Sequence, residues 1–431
     1  MPLEVSTFTE EVFHLVENLK KDLKRKNKPV SDIIDDAGYQ YVDFVMEGGG
    51  VLGIALVGFT YVLEQAGIRF LQIGGASAGA INALLLAALG APAEAKSEKI
   101  LRELANVDMY EFVDGDGDAR SFIDSWLSNE NRLSIGFKAL QVVDNINDEL
   151  GLNPGEKFRE WIVGILEKER IRNTADLEKR LGLMPTGLRH REGKPIDHIR
   201  PNLALVAADV STQTKAVFPR MAGLYWKNPD RVNPAHYVRA SMSIPFFFQP
   251  LRIDNIPRGT SAMALWKQYA DYEQSIPKSC VFIDGGIMSN FPINLFHRPD
   301  RVPSAPTFGV KLGVDDRKTD DISKPFGLLK VIFDSARFNL DADFIARNPD
   351  YRKLVSCIGT GDHNWLNFGM SDDDKLDLFK KGAAEADRFL RQFDWEEYKD
   401  IRRGIAQTIN DADLKKETMA GDAVRSAVKS T

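Results

Sequence analysis

Hydrophobic positions between residues 41 and 89 alternate between two patterns. Largely apolar runs at 41–46 and 70–73 are typical of buried strands. Each run leads through glycines into a stretch with apolar residues at helical spacing, at about 54–65 and 80–86. The pattern predicts two consecutive strand–turn–helix units, which are the building blocks of an α/β sheet.

Strand-like runs return only after a long interruption. The stretch from about 93 to 200 is rich in charge and in helical spacing, so it predicts a mainly helical insertion that could cover a site. Further strands are predicted at 203–208, 280–283 and 308–312. Residues 212–218 are predicted to be the hairpin partner of the first of them. These elements predict one α/β core with a mainly parallel central sheet over residues 41–312.

Helical extensions are predicted on both sides of this core. Residues 1–40 carry one amphipathic helix with a basic end, whose apolar positions are Val12, Leu15, Val16, Leu19 and Leu23. We favour packing of this helix on the core over contact with a membrane surface, because the helix dipole already favours a basic last turn. Residues 313–431 are predicted to be mainly helical, with a capping box at Ser371 and Asp374 and a disordered tail from about 411.

Composition narrows the class of protein. A chain of 431 residues that is 43% hydrophobic can bury one large core, and a net charge of −6 argues against nucleic acid as a partner. No apolar run reaches 18 residues, and the first residues lack the pattern of a signal peptide. We therefore expect no transmembrane segment and a cytoplasmic location, at most peripheral at a membrane surface.

The sequence offers no pattern for a metal or a cofactor. Neither Cys280 nor Cys357 has a ligand partner at CxxC or CxxH spacing. The aspartates of residues 114–118 invite comparison with a calcium loop, but the glycine and glutamate that such a loop needs are replaced by Ala119 and Ser125. We interpret this stretch as a solvated turn and expect no cofactor and no metal.

Gly48, Gly50 and Gly53 fit the dinucleotide-binding pattern G-x-G-x-x-G between a strand and a helix. That pattern expects an acidic residue about 20 positions later, at the end of the second strand, to hold the ribose hydroxyl. Residues 73–77, Ile-Gly-Gly-Ala-Ser, occupy that place. The sequence therefore disfavours a dinucleotide site, although a glycine loop at a helix start still predicts a site for negative charge.

Ser77 lies in the stretch where the dinucleotide pattern expects the acidic residue. The five residues from Gly75 to Gly79 satisfy G-x-S-x-G, the nucleophile elbow, in the required strand-to-helix setting. The two glycines allow the sharp turn and the approach of a substrate, and the helix start favours negative charge that develops at Ser77. The alternative is a pair of structural glycine turns in an ordinary sheet, because short glycine patterns also occur by chance.

Asp284 is the candidate partner of this serine. It follows the predicted strand 280–283 and precedes Gly285 and Gly286, and carboxyl ends of strands are where α/β sheets place their sites. An aspartate at a strand end is also a common turn former, so its candidacy as a catalytic base depends on Ser77.

Three phenylalanines, Phe246, Phe247 and Phe248, follow a short helix that a proline ends. A buried strand and an apolar wall for an acyl chain explain this run equally well.

Four blocks, in this order along the chain, resemble the patatin-like phospholipase family. They are the glycine loop 48–53, the elbow 75–79, the proline-aromatic block 240–250 and the motif 284–286. The resemblance implies a patatin-like three-layer sandwich and a metal-independent lipid acyl hydrolase of the phospholipase A or lysophospholipase type. Its partner would be a phospholipid or another ester lipid at a membrane surface. One departure lies in the loop, where Leu52 stands at a position at which the family often has lysine or arginine.

The resemblance also implies roles for individual residues. Ser77 would be the nucleophile and Asp284 its base, in a Ser-Asp dyad. The oxyanion hole would lie at Gly48, Gly49, Gly50 and Gly53, with the N–H groups of Gly49 and Gly50 as donors. From the residues alone, the glycine loop is likewise the only run of backbone donors expected on the neighbouring strand.

Two other functions stay open. An α/β-hydrolase triad would use His297 or His363 after Ser77 and Asp284, and the order of these residues fits. Such enzymes usually build several strands before the nucleophile, however, whereas one strand–helix unit precedes it here. A patatin-like scaffold that has become a binding or regulatory module is the non-enzyme alternative, and the presence of both Ser77 and Asp284 argues against it.

Overall fold

A mixed sheet organises the computed structural model, which describes residues 3–117, 120–121, 149–194, 196, 200–313, 335 and 344–409. Within these residues, ten strands form the main sheet, and β4 and β8 form a separate pair. The strands are β1 (Ile33–Ile34), β2 (Gln40–Met46), β3 (Ile68–Ala76), β4 (Gly151–Asn153), β5 (Arg189–His190), β6 (Asn202–Asp209), β7 (Thr214–Phe218), β8 (Phe246–Phe248), β9 (Leu251–Asp254), β10 (Ser279–Ile283), β11 (Thr307–Leu312) and β12 (Val355–Ile358).

Five neighbouring strands of the main sheet run parallel, in the order β12, β11, β2, β3 and β6. The other pairs are antiparallel: β7 and β10 with β6, β9 with β10, and β1 with both β2 and β5. Met46 pairs with Gly75, and Ala76 pairs with Val206. The loops that follow β2, β3 and β6 therefore leave the sheet at one common edge. The predicted parallel arrangement is confirmed for these five central strands, while the sheet as a whole is mixed.

Helices lie on both sides of the sheet and at both ends of the described chain. They are α1 (Val5–Glu11), α2 (Phe13–Lys26), α3 (Gly53–Gln65), α4 (Ala78–Ala88), α5 (Ser97–Asn106), α6 (Glu156–Lys168), α7 (Thr174–Leu181), α8 (Ala222–Tyr225), α9 (Ala235–Ser241), α10 (Thr260–Ala270), α11 (Gly286–Ser289), α12 (Asp372–Gln392) and α13 (395–409). None of the helices in the described residues has the length and apolar character needed to cross a bilayer.

The first helix after the glycine loop, α3, is buried between the sheet and the long C-terminal helix α12. Phe44 of β2 stacks on Phe59 of α3 with ring centroids 6.2 Å apart. Gly58 of α3 and Gly382 of α12 allow the two helices to touch, because a Cβ on either would overlap a carbonyl oxygen of the other helix. On the opposite face of the sheet, Leu295 comes close to β3. The C-terminal region is thus part of the core around the site.

Two predictions at the ends of the chain differ from the structure. The predicted N-terminal helix, with apolar positions from Val12 to Leu23, corresponds to α2, and a short helix that was not predicted, α1, precedes it and ends at Val12 with φ −109° and ψ 3°. The basic end of α2 contacts the C-terminal helices, where Lys28 pairs with Asp394 and Lys26 donates to the Arg391 carbonyl. The prediction had no strand after β11, but β12 pairs with it in parallel.

The reason for the missed strand is its length. The four residues of β12 include two polar or weakly apolar ones, Ser356 and Cys357, so no apolar run marks the strand. The capping box at Ser371 and Asp374 is confirmed at the start of α12. The predicted disordered tail from about 411 lies outside the described residues.

Candidate active site

Ser77 occupies the turn between β3 and α4, with φ 50° and ψ −121°. A residue other than glycine in such a conformation costs about 1 to 3 kcal/mol, so the surroundings must hold the turn. The Ser77 N–H donates to Ser241 Oγ at 2.9 Å, and the Ser77 carbonyl accepts from the Ile81 N–H at 3.0 Å. The side chain is 5% exposed and makes no capping hydrogen bond to α4. Its hydroxyl is therefore not used to close the helix.

The two elbow glycines bring this turn against the end of β2. A Cβ on Gly79 would overlap the Met46 carbonyl oxygen, and a Cβ on Gly75 would lie 2.5 Å from the Gly79 carbonyl carbon. Backbone atoms cannot move aside as the end of a side chain can. Both positions therefore require glycine for close approach, as the elbow pattern predicts.

The glycine loop after β2 passes directly beside the elbow. A Cβ on Gly48 would lie 3.0 Å from Ser77 Cβ. Gly53 begins α3 and faces α4, where the Asn82 side chain donates to the Gly53 carbonyl at 3.3 Å. The loop and the elbow are thus two neighbouring turns at the same edge of the sheet.

The backbone N–H groups of this loop have different partners. The Gly48 N–H donates to the Asn290 carbonyl at 3.0 Å, and the Gly53 N–H donates to the Gly50 carbonyl. In the part of the chain that the structure describes, no acceptor is recorded for the N–H groups of Gly49 and Gly50. These two donors are consequently available to a substrate oxygen.

Asp284 directly follows β10 and is 2% exposed. Its Oδ1 accepts from the Gly286 N–H at 2.7 Å, which orients the carboxylate. Its own N–H donates to the Ser243 carbonyl at 2.8 Å. The aspartate is therefore fixed at both its backbone and its side chain.

Ser241 connects the two candidate catalytic residues. Its Oγ accepts from the Ser77 N–H and donates to the Val206 carbonyl at 2.6 Å, while its carbonyl accepts from the Gly285 N–H at 3.0 Å. Gly285 itself lies so close to Val206 that a Cβ there would overlap the Val206 carbonyl oxygen. The structure thus brings the elbow and the Asp284 motif to one serine of the proline-aromatic block.

A cavity of about 60 Å³ opens beside Ser77 and has a mainly apolar lining. Five lining residues come from the predicted insertion: Leu104, Met109, Phe112, Phe158 and Trp161. Of the three phenylalanines of β8, only Phe248 is part of the lining. Phe247 lies behind it and stacks on Phe368, with ring centroids 4.9 Å apart. Phe246 does not contribute to the wall.

Comparison with known proteins assigns the chain to a family. The family model for patatin, the patatin-like phospholipases, matches residues 44–297. The chain belongs to the patatin-like phospholipase family. Members of this family are hydrolases that act on lipid esters.

Individual relatives add context. The uncharacterised protein YqhO of Bacillus subtilis (strain 168) is 30% identical over 355 residues, which cover 82% of this chain and 99% of YqhO. Among solved structures, VipD of Legionella pneumophila is similar with a TM-score of 0.41 and 16% identity, over 84% of this chain and 70% of the other. A structure of SpcU in complex with ExoU from Pseudomonas aeruginosa is similar with a TM-score of 0.31 and 15% identity, over 81% of this chain and 52% of the other.

This patatin-like site includes residues that the sequence did not single out. Ser241 and Asn290 lie within or next to recognised blocks, but only the fold shows what they contact. Trp365 and Phe368 come from the C-terminal region, where no motif was assigned. The Trp365 carbonyl accepts from the Val51 N–H at 3.0 Å, and Phe368 lines the cavity. Their sequence surroundings carry no pattern that could have revealed this.

The histidines considered for a triad have other partners. His297 Nδ1 lies 2.7 Å from the Tyr351 hydroxyl, and burial lowers the pKa of this histidine. His363 Nε2 lies 2.7 Å from an Asp377 carboxylate oxygen on α12. Neither histidine lines the cavity at Ser77.

Proposed function

We propose that the protein is a lipid acyl hydrolase of the phospholipase A or lysophospholipase type, acting through an acyl-enzyme on Ser77. The observation that carries this proposal is the position of Ser77. It lies on a strained turn at a helix start, beside a cavity with an almost wholly apolar lining. Strain at a polar residue that faces an apolar cavity is typical of a functional group.

In the proposed reaction, Asp284 is the base of a Ser-Asp dyad. Ser77 Oγ attacks the ester carbonyl carbon while its proton passes to the Asp284 carboxylate. Collapse of the tetrahedral intermediate breaks the bond to the alcohol, which takes that proton and leaves. A water molecule then attacks the acyl-enzyme with the same base, and the fatty acid is released. The hydrogen bonds of Ser241 to the Ser77 N–H and to the N–H of Gly285, the residue after Asp284, support this pairing.

The negative charge of the intermediate falls on the carbonyl oxygen of the ester. We assign its stabilisation to the N–H groups of Gly49 and Gly50, because the Gly48 and Gly53 N–H groups already have backbone acceptors. Gly48 and Gly53 would then shape the oxyanion hole rather than donate to it. The start of α4 adds the favourable end of a helix dipole.

The part of the acyl chain nearest the ester would occupy the apolar cavity, whose volume of about 60 Å³ is too small for the whole chain. Phe248, Phe158 and Trp161 offer large apolar surfaces there, and a hydrocarbon chain gains about 0.8 kcal/mol for each buried methylene group. The head group, which is polar, would stay at the mouth of the cavity. A phospholipid or another ester lipid presented at a membrane surface fits this division.

Initial rates on short-chain aryl esters and on mixed phospholipid vesicles, in excess chelator, test the proposal. We expect the parent to be active without metal, because a serine mechanism needs none. Ser77→Ala should remove activity, and Asp284→Asn should remove nearly all of it. His297→Ala and His363→Ala are the matched controls and should stay within a few-fold of the parent.

Each contrary result has a distinct meaning. An active Ser77→Ala protein would exclude the nucleophile, and a collapse in either folded histidine variant would support the triad instead of the dyad. Activity that disappears in chelator and returns with calcium would exclude the metal-free mechanism. Circular dichroism of each variant shows whether it is folded.

A further inference from the structure

Two buried polar residues at the edge of the site have no role in the reaction described above. Glu47 directly follows β2 and is 8% exposed, and Asn290 directly follows α11 and is 4% exposed. Burial of a carboxyl group and an amide is costly unless their hydrogen bonds compensate for lost water. Their partners therefore indicate what the two side chains do.

The contacts of these residues converge on the first glycine of the loop. Asn290 Nδ2 donates to Glu47 Oε1 at 3.1 Å and to the Gly48 carbonyl at 3.2 Å, and the Asn290 carbonyl accepts from the Gly48 N–H at 3.0 Å. Glu47 Oε2 in turn accepts from the Leu312 N–H at 2.6 Å, at the end of β11. Gly48 is thus held at both of its backbone polar groups.

The orientation of the Asn290 amide follows from chemistry. Both neighbours of its nitrogen, a carboxylate oxygen and a carbonyl oxygen, can only accept hydrogen bonds when the carboxylate is ionised. Rotation of the amide by 180° would place Oδ1 against two acceptors. The contact between the two side chains therefore needs one donor and one acceptor. An exchange of the two groups would preserve that contact but would remove the donor to the Gly48 carbonyl.

We propose that the Glu47–Asn290 pair positions the oxyanion loop, an inference that rests on the function proposed above. With Gly48 fixed on both sides, the position of the next two N–H groups is also fixed, those of Gly49 and Gly50, for which the described residues supply no acceptor. Preorganised donors stabilise an oxyanion because they need not reorient during the reaction. Asn290 is a positioning residue, and it touches no reacting atom.

The segment after β10 is short, and the two polar residues at its ends are buried. Asp284 stands at its start, Asn290 stands at its end, and only α11 lies between them. One segment consequently holds both the base and the loop that carries the donors. A change in this segment would shift both with respect to Ser77.

Asn290→Asp is the primary test, because it keeps the shape of the side chain but replaces the donor with a second carboxylate beside Glu47. We expect turnover on an aryl ester to fall about 100-fold, the lower end of the effect of a lost oxyanion donor. KM should stay within threefold, because the acyl cavity is untouched. Glu47→Gln, which can satisfy either Leu312 or Asn290 but not both, should lower turnover about tenfold.

The double variant Glu47→Gln with Asn290→Asp reverses donor and acceptor. Its glutamine can accept from the Leu312 N–H and donate to the new carboxylate, which removes the repulsion between two carboxylates although the Gly48 carbonyl still lacks its donor. We expect turnover at least tenfold above that of Asn290→Asp alone, a recovery that independent damage at two positions would not give. Asn348→Asp is the matched control, since the Asn348 amide donates to the Phe344 carbonyl at 2.9 Å, outside the site. Its turnover should equal that of the parent.

Hydrogen exchange of peptides that cover residues 47–53 supplies a readout that does not depend on activity. Exchange should be faster in Asn290→Asp than in the parent and slower again in the double variant. Unchanged exchange, a folded Asn290→Asp protein within threefold of parental turnover, or a double variant no better than Asn290→Asp would each overturn the proposal. An inactive parent would contradict the proposed function, while exchange would still decide whether the pair holds the loop.

Discussion

The two strand–turn–helix units at the site have the same order of elements, but the residue with positive φ is a glycine in one turn and a serine in the other. In the first unit the positive φ, 55°, falls on Gly50, and in the second a φ of 50° falls on Ser77. Glycine adopts such a conformation without strain, whereas serine does not. The first turn contributes only backbone N–H groups, so a glycine suffices there. The second turn must project a side chain, and the protein keeps the strain that comes with it.

The units also differ in what holds them. The elbow packs against Met46, at the end of the preceding strand, and its main-chain N–H is held by Ser241. The glycine loop depends on residues much later in the chain, Asn290 and Trp365, whose carbonyls accept from Gly48 and Val51. A short motif can therefore encode most of the elbow, while the loop needs partners that no local pattern shows.

The largest effect on activity should come from Ser77→Gly, which separates strain from chemistry at the elbow. We expect no hydrolysis at all, together with a gain in stability relative to Ser77→Ala. The strain relieved is about 1 to 3 kcal/mol, and the extra freedom of glycine in the unfolded chain removes about 0.4 to 1 kcal/mol of it. Urea denaturation should therefore show Ser77→Gly about 1 kcal/mol more stable than Ser77→Ala.

Ser77→Ala is the appropriate reference because it also lacks the hydroxyl but keeps a Cβ in the strained conformation. Equal stability of the two variants would mean that the turn relaxes when the nucleophile is removed. The contrast between a strained elbow and an unstrained glycine loop would then be lost.

A smaller loss is expected from Gly50→Ala, with Gly49→Ala as its matched control. A Cβ on Gly50 would overlap the Trp365 carbonyl oxygen in a left-handed conformation, so the loop must move and its donors with it. A Cβ on Gly49 would meet Leu312 Cδ1, the end of a flexible side chain, at 2.5 Å. We expect turnover to fall about 100- to 1,000-fold in Gly50→Ala, as for a lost oxyanion donor.

The corresponding loss in Gly49→Ala should be at least tenfold smaller, because Leu312 can change its rotamer. Initial rates on an aryl ester, with thermal melting to show that both proteins are folded, distinguish the two. If Gly49→Ala is the more damaging change, the loop is held mainly from the β11 side and not by Trp365.

The sequence was sufficient where function and local conformation use the same residues. At the elbow, Gly75 and Gly79 are required by close backbone approach. The residues that mark the catalytic motif are therefore the same residues that the turn needs in order to fold. The apolar runs of β2, β3, β6 and β11 likewise predict the strands, because each is buried over most of its length. Phe248 could be proposed for the cavity wall, but its separation from Phe246 and Phe247 depends on the path of β8.

What the sequence could not show depends on contacts between distant segments. Phe368 reaches the cavity only because α12 packs on α3 and carries the preceding loop to the site. Asn290 contacts Gly48, although the two residues lie 242 positions apart along the chain. Helix α1 was missed for a different reason, since it has only seven residues and ends at Val12, where the predicted apolar positions begin.

The smallest effect on activity is expected from Asp43→Asn, which tests how the two units are joined below the site. Asp43 of β2 is buried, and its carboxylate accepts from Gln72 Nε2 of β3 at 2.8 Å. Burial, opposed by the Gln72 hydrogen bonds and the charge of Arg298, raises the pKa of Asp43 from 3.8 to about 7. Turnover at pH 8 should stay within twofold, because the residue lies on the strand and away from the cavity.

The stability of the same variant should depend on pH in a defined direction. Between about pH 4 and 7, native Asp43 holds a proton that the unfolded chain has released, so the stability of the parent falls as pH rises through this range. The contribution of the protonated carboxyl is complete below about pH 4 and is lost once pH passes about 7. Asparagine cannot ionise, and Asp43→Asn should therefore gain stability relative to the parent from pH 4 to pH 8. Urea denaturation of both proteins at pH 4.5, 6 and 8 measures this difference. A constant difference across the three values would mean that Asp43 is ionised throughout, and that the contact with Gln72 joins the two strands as an ion–dipole pair instead of a neutral hydrogen bond.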